Sequence, residues 1–435
     1  MALGEILDLS AFSKAMKIRG MFDKQFRQFY VQGFLLENLR RKGGRVPLGG
    51  REMEIPLETR GMASIGAQQE LEAITEPDNP AFAIAKIPIK TLTSRFQISL
   101  HSHLSSKDNR AAWVGGQIKS MSSTVEMFAM GLSRLLHGWG SGALAKVVSV
   151  AADTPVVGEH TITLHADQAT LSGGTFGRKY MIRGGRLAAS SSLTGLICEK
   201  HADLRVKSIG KTTETIIVTG SLGTGAFILA ADDYLFLGSK DRTSKGRAPM
   251  GVYGYLDSTK AATVLSIDRT AAGNEYFDAF RSTAVGGADL ENRIQIQCDN
   301  VMTQIGLKTQ IILMAMGVWR KFAADLRGDR RFVTAAETGK YKGGTNMLMY
   351  DGADGEPIPI VRDRDVPTGT MWGLHWDAFY LGELHPAQWL KQFDESSIFR
   401  QIPDTLGWEA IYAWIGELVC VQPAGQWLDL GIDEI

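Results

Sequence analysis

Cysteine is scarce in this chain. Only Cys198, Cys298 and Cys420 occur in 435 residues. An odd, scattered set argues against a disulfide framework and suits a reducing compartment, with each thiol read as a small buried apolar group. Net charge is missing as well, since 47 basic residues balance 47 acidic ones. That excludes a broadly basic nucleic-acid coat but leaves room for local patches. No apolar run approaches the ~20 residues of a membrane span. The opening Met-Ala-Leu-Gly-Glu turns acidic at Glu5, so no secretory signal is in view. A soluble intracellular product is the expectation.

Complete catalytic signatures are lacking too. Gly220-Ser221-Leu222-Gly223-Thr224-Gly225 has the glycines of a phosphate loop but no Lys-Ser/Thr ending, and a strand-like run follows it, so a turn is the better account. His101 and His103 share one face of a strand, without nearby Cys or His to complete a tetrahedral set. His375, Asp377, Glu383 and His385 come nearer to a ligand set, yet they straddle a Trp-rich strand on differing faces. Asp351 to Glu356 resembles part of a calcium loop, but Arg362 stands where the closing glutamate belongs. Asp-Gly hairpin chemistry explains that stretch. No catalytic residue, metal or cofactor is expected.

What is present is architecture. At 44% hydrophobic and 22% charged residues the composition is that of a folded protein. Its length calls for two or three domains. Phe22, Phe26, Phe29, Tyr30, Phe34 and Leu35 recur at helical spacing. Arg27, Arg40, Arg41 and Lys42 make that amphipathic helix basic, and Gly43-Gly44 stops it. Core packing, a membrane-surface helix and a basic arm facing a polyanion all remain open for it. From Arg51 to Leu100 the period becomes two: Met53, Ile55 and Leu57, then Phe82, Ile84, Ile87, Ile89, Leu92, Phe96, Ile98 and Leu100. A polar stretch, Ser64–Pro80, separates the two runs. This predicts a long hairpin with a mobile tip. Pro56 and Pro88 keep both strands from the middle of a sheet. A lone two-stranded ribbon is marginal in water, so it is expected to lie on something else, such as a neighbouring subunit.

Lys107–His137 carries the longest helical pattern, one apolar stripe from Trp113 to Leu135, a rod of roughly 45 Å at ~1.5 Å per residue. Residues 147–238 hold short β-branched runs at Thr161–Leu164, Tyr180–Ile182, Leu193–Cys198, Leu204–Ile209, Thr215–Thr219, Phe227–Leu229 and Tyr234–Leu237. Their spacing near ten residues predicts a small barrel or sandwich inserted in the chain. Ser239–Arg247 reads as a charged linker back to the main body. A helix (Asp289–Gly306), a strand (Thr309–Met316), a second helix (Val318–Arg330), a hairpin (Asn346–Val361) and a Trp- and Tyr-rich strand (Met371–Leu384) follow.

This order resembles the major capsid proteins of tailed double-stranded DNA bacteriophages, which share the Hong-Kong-97-type capsid fold. The likeness is carried by Thr309–Arg330, by Met347–Val361 with Val366-Pro367-Thr368-Gly369-Thr370, and by Phe399-Arg400-Gln401-Ile402-Pro403 with Glu409–Cys420. It implies an α+β fold: an N-terminal arm (1–50), an extended hairpin loop (51–104), a spine helix with peripheral domain (105–146), an inserted β-barrel-like domain (147–245), an axial domain (246–375) and a return through the peripheral domain (376–435). It implies a non-enzymatic virion protein, assembled in the host cytoplasm as hexamers and pentamers of itself into an icosahedral head. The implied partners are a separate scaffolding protein, a portal, a decoration protein and packaged double-stranded DNA contacted without sequence preference, and no membrane. The inter-subunit contacts expected of the arm are Phe82, Ile84, Ile87, Ile89, Phe96 and Ile98. The expected DNA-facing residues are Arg27, Arg40, Arg41, Lys42 and Arg45. Some members cross-link an arm lysine to a late asparagine; Lys86 and Lys90 are available, but no Asn follows Asn346, so no isopeptide is expected. Two other readings stand beside this one: a bacterial nanocompartment shell of the same fold, and an α/β enzyme with an appended β-domain, centred on His375, Asp377 and Glu383.

Overall fold

Proline and parity explain how the first strands divide. In the computed structural model, which describes residues 35, 39, 44–47, 52–61, 64–68, 76, 79–99, 110–153, 156–165, 182–200, 202–210, 213–239, 242–283, 289–325, 348–351, 357–391, 398–403 and 405–434, a short strand β1 (Gly44–Pro47) precedes β2 (Glu52–Arg60), β3 (Ala81–Pro88) and β4 (Lys90–Ser99). β2 and β3 pair antiparallel as a two-stranded ribbon. The single strand expected from Phe82 to Leu100 is in fact two. Pro88 has no N–H for a ladder, and beyond Ile89 the chain leaves the ribbon and β4 joins a different sheet. The long helix α1 is described over Arg110–Leu136 and stops just before His137-Gly138. Of the amphipathic N-terminal helix, only Leu35 and Leu39 are described; both are helical and fully buried.

The insert closes on itself. β5 (Ala143–Ala151), β6 (Glu159–Leu164), β7 (Arg186–Ser190), β8 (Asp203–Ile209), β9 (Thr215–Ser221) and β10 (Tyr234–Ser239) form one antiparallel sheet in the order β10-β5-β6-β9-β8-β7, and β7 pairs back to β10. The result is a six-stranded barrel with a two-residue strand β11 (Arg242–Thr243) folded back on β10. Alternate residues such as Val147, Ile162, Leu187, Val206, Ile216, Val218 and Leu235 are almost wholly buried. Such closure removes the free edges of the sheet. Three expectations need correcting here. Leu193–Cys198 is an irregular loop and Phe227 closes a 3₁₀ turn, Gly225–Phe227, rather than opening a strand. Ser239–Arg247 is not a solvated linker: it contains β11, and Lys245 is buried, donating to Ser190 Oγ (2.7 Å) and to the Ile197 carbonyl (3.0 Å).

The rest of the chain makes two further layers. After a short helix α2 (Val252–Leu256) come the hairpin strands β12 (Thr263–Val264) and β13 (Ile267–Asp268), then β14 (Phe280–Thr283), α3 (Leu290–Ile305), β15 (Ile311–Met314), α4 (Met316–Asp325), β16 (Leu348–Asp351), β17 (Pro357–Arg362), β18 (Met371–Leu374), β19 (Phe379–Trp389), β20 (Phe399–Gln401), β21 (Gly407–Cys420) and β22 (Trp427–Leu430). Six of these strands form a sheet in the order β14-β22-β18-β15-β17-β16. A second sheet runs β1-β19-β21-β20, with β4 also paired to β21 along Gly407–Gly416. The Trp-rich strand expected over Met371–Leu384 is thus split between the sheets by a 3₁₀ turn at Trp376–Ala378. Asp289 caps α3 by accepting from the Glu291 N–H (3.1 Å), and Gly306 ends it at φ 76°, a left-handed cap that favours glycine. Trp372, Trp376, Trp414 and Trp427 are fully buried at the centre. Gly373 is required by this packing, because the Trp427 indole occupies the space a Cβ would take. One continuous apolar core joins both sheets, α1 and the barrel.

Candidate assembly surface

The β2–β3 register sorts the ribbon into two faces. Met53 lies opposite Ile87, Ile55 opposite Ala85 and Leu57 opposite Ala83, while Glu54 faces Lys86, Pro56 faces Ile84 and Glu58 faces Phe82. The first set is partly or fully buried against the subunit's own body. The second set points outward, with Phe82 60% and Ile84 55% exposed. Glu54 and Lys86 form an ion pair beside them (3.4 Å). Farther out, residues 64–68 are all exposed, and Ile65 is 97% accessible.

At its root the ribbon is held by a backbone contact from outside its own ladder. The Lys86 N–H donates to the Leu265 carbonyl (2.9 Å), at the turn between β12 and β13. That turn has φ of 50° at Leu265 and 66° at Ser266. Two consecutive positive φ values are the primed hairpin geometry, usually built from Asn-Gly. Lys90 Nζ then donates to the Gly246 carbonyl (3.1 Å), which fastens the start of β4 beside the barrel. Neither lysine flagged as a cross-linking candidate is therefore idle.

Not every expected arm residue reaches the outer face. Ile87, Phe96 and Ile98 are at most 6% exposed, and Ile89 is partly buried. Ile87 belongs to the ribbon's inner face, and Phe96 and Ile98 lie on β4 inside the five-stranded sheet, so these three serve the subunit's own core. Phe82 and Ile84 are the two that face outward. Arg27, Arg40, Arg41 and Lys42 lie outside the described residues, and Arg45 is described only as backbone in β1.

The remaining candidates for chemistry disperse. His375 Nδ1 is 2.8 Å from the Lys308 carbonyl and Nε2 lies 3.9 Å from Asp377, whose carboxylate takes the Gln310 amide at 2.8 Å. Glu383 instead accepts from Trp414 Nε1 (2.8 Å), and His385 pairs with Gln388 (3.2 Å). His101 and His103 lie outside the described residues, as do residues 352–356. Among the described residues no group of three or more His, Cys, Asp or Glu is placed to hold a metal ion. Nor is any helix among them long and apolar enough to cross a membrane.

Sequence reasoning missed the polar ties that hold the bodies together. Arg95 and Gln97 of β4 and Arg400 of β20 converge on Glu409 of β21, at 3.2, 3.3 and 2.7 Å, stitching three strands. Arg293 of α3 pairs with buried Asp429 of β22. Glu417 is buried and accepts from the Met250 N–H (2.6 Å) and the Leu418 N–H (3.1 Å). Burial pushes its carboxyl up to about 8. The only sequence cue was a charged residue at the inward parity of a strand.

No family model and no curated protein matches the sequence. Solved structures do. The capsid asymmetric unit of cyanophage A-1(L) aligns over 94% of this chain and 96% of its own, with TM-score 0.52 and 12% identity. The capsid of Myoviridae phage XM1 aligns over 99% of this chain and 100% of its own, with TM-score 0.46 and 9% identity. A capsid chain of a native GTA particle aligns over 95% and 96%, with TM-score 0.44 and 12% identity. The ribbon, the long helix, the two sheets and the cyanophage alignment together place the chain in the Hong-Kong-97-type capsid fold.

Proposed function

We propose that this chain is a major capsid protein of a tailed double-stranded DNA phage, a non-enzymatic subunit whose copies assemble as hexamers and pentamers into an icosahedral head. The observation that carries the reading is the ribbon. Two strands packed by one face on their own body present Phe82 and Ile84 to solvent on the other, an apolar surface that a neighbouring copy would cover. Burying each such side chain contributes about 1.5–3 kcal/mol, against several kcal/mol of lost association freedom. Contacts of that size are weak singly and additive across a closed shell, which lets misplaced subunits anneal. In this reading the five-stranded sheet with α1 is the peripheral domain and the six-stranded sheet the axial domain. Arg27, Arg40, Arg41, Lys42 and Arg45 face packaged DNA, and a scaffolding protein, a portal and a decoration protein are the further partners.

Electron microscopy of the purified chain, expressed with and without a scaffolding partner, tests this directly. Closed shells from the wild type, and their loss or deformation when Ser64–Pro80 is deleted from a chain that stays soluble, are the expected results. A monodisperse monomer under every packaging-like condition, or normal shells from the deletion, overturns it.

A further inference from the structure

Where α1 ends, a buried charge pair bridges it to the six-stranded sheet. His137 is the first residue past the helix and is 0% exposed; Asp363 is the first residue past β17 and is 6% exposed. His137 Nδ1 lies 2.7 Å from the Ser133 carbonyl, one turn back in its own helix, and Nε2 lies 3.1 Å from Asp363 Oδ2. Both partners are oxygen acceptors when Asp363 is ionised. Only the doubly protonated imidazolium donates to both at once. The C-terminal end of a helix, with its unsatisfied carbonyls, favours that cation further. Asp363 is itself anchored to the sheet: its N–H donates to the Met314 carbonyl at the end of β15 (3.0 Å), and its other oxygen accepts the Asp365 N–H (2.9 Å).

We propose that His137–Asp363 is a pH-gated joint, holding the end of the long helix against the six-stranded sheet while both groups are charged and releasing it when either is neutralised. Neutral His137 loses one of its two donors, so a lone pair must face an oxygen in a site closed to water. Asp365 bears on the imidazole from the same connector, and Arg364 acts on Asp363 rather than on the ring. From α2, the Tyr253 hydroxyl is committed to Asp257 (3.2 Å). Trp372 of β18 covers the ring with centroids 6.0 Å apart, and Arg134, one turn back, is buried in the same helix.

The direction of release follows from the two titrations. Burial pushes the imidazole pKa down, but the Asp363 charge and hydrogen bond, aided by Asp365, outweigh it and leave the value above 6.5. Burial pushes Asp363 up, and His137 outweighs that, leaving it below 3.8. The histidine contribution is therefore complete below about 6.5 and lost as pH rises through its raised value. The aspartate contribution is complete above 3.8 and lost only as pH falls through its depressed value. The joint is closed through mildly acidic conditions and opens on the alkaline side.

Hydrogen–deuterium exchange on the purified full-length chain, corrected for intrinsic rates, reads the joint between about pH 6 and about pH 9.5. Protection of the amides at 131–137 and 363–366 is expected to fall about tenfold across one alkaline step in the wild type. In His137→Gln and Asp363→Asn the same amides are expected to exchange fast already at the acidic end, with no step. Absence of the step in the wild type overturns the proposal without recourse to variants. So does a step of unchanged size in either variant. Both outcomes are independent of whether shells form, so the joint and the shell reading fail separately.

Discussion

The barrel and the ribbon are both β structure, built from similar residues, yet one has satisfied every edge and the other almost none. In the barrel each of the six strands has two neighbours, because β7 returns to β10. Among the described residues β2 and β3 of the ribbon pair only with each other, and the apolar residues of one face remain in solvent. Ile and Phe side chains thus stabilise the fold in the barrel and remain exposed on the ribbon. In the proposed shell, stability and assembly are therefore carried by different parts of the chain.

Mutations can break that contrast. Leu235→Ala, at the centre of the barrel, is expected to lower unfolding stability by about 2–5 kcal/mol in denaturant titration. Ile84→Ala, on the ribbon's outer face, is expected to change it by no more than about 0.5 kcal/mol while abolishing or distorting shells in micrographs. Equal effects of the two on unfolding would erase the distinction.

The ground between barrel and ribbon is where pH acts. Glu417 accepts the Met250 N–H near the barrel's exit and feels the charge of Lys90 at the start of β4. Its folded-state pKa is raised from 4.5 to about 8, so the stability it allows is complete below about 4.5 and is lost as pH climbs to about 8. The slope amounts to a few kcal/mol, at about 1.4 kcal/mol per unit before relaxation. Glu417→Gln keeps the acceptor for both amides and is expected to lessen the fall of the denaturant midpoint between pH 5 and pH 9, leaving the part that His137 contributes. A midpoint that falls as steeply in the variant as in the wild type would assign the slope elsewhere.

Smaller effects sharpen the comparison. Lys245→Met removes two hydrogen bonds that pin the 191–198 loop to the barrel, and about 1–3 kcal/mol is expected from leaving Ser190 and the Ile197 carbonyl without that donor. Faster proteolysis within the loop reports it. Ser266→Gly relieves a left-handed backbone at an exposed position and is expected to stabilise the turn under the ribbon by up to about 1 kcal/mol, seen as a higher melting temperature. No gain would mean that the turn is not strained.

Much of this was legible from residue order, and the failures have identifiable causes. The ribbon's alternation was visible, but its parity was misread. Phe82 and Ile84 occupy even positions, Ile87 and Ile89 odd ones, and Leu92, Phe96 and Ile98 even ones again. A strand cannot keep one face through such changes. The first switch marks apolar residues turning inward at the root, and the second marks the passage from ribbon to sheet across Pro88. The barrel strands Ala143–Ala151 and Arg186–Ser190 were missed because alanine and serine, which carry little β propensity, interrupt their apolar pattern. Packing against larger partners made them strands. The buried pair of His137 and Asp363 left no trace in sequence, since 226 residues separate its halves and only the fold brings them together.

The barrel's point of attachment has a practical corollary. Entry and exit strands are ladder neighbours, with Ala143 in register with Phe236, so the two ends of the module lie side by side. A unit tethered this way is a natural cassette: a short turn, or a foreign domain with adjacent termini, can bridge the same gap in the host chain. Val157, 87% exposed at the tip of the β5–β6 turn, offers a site on the cassette itself for grafting an epitope.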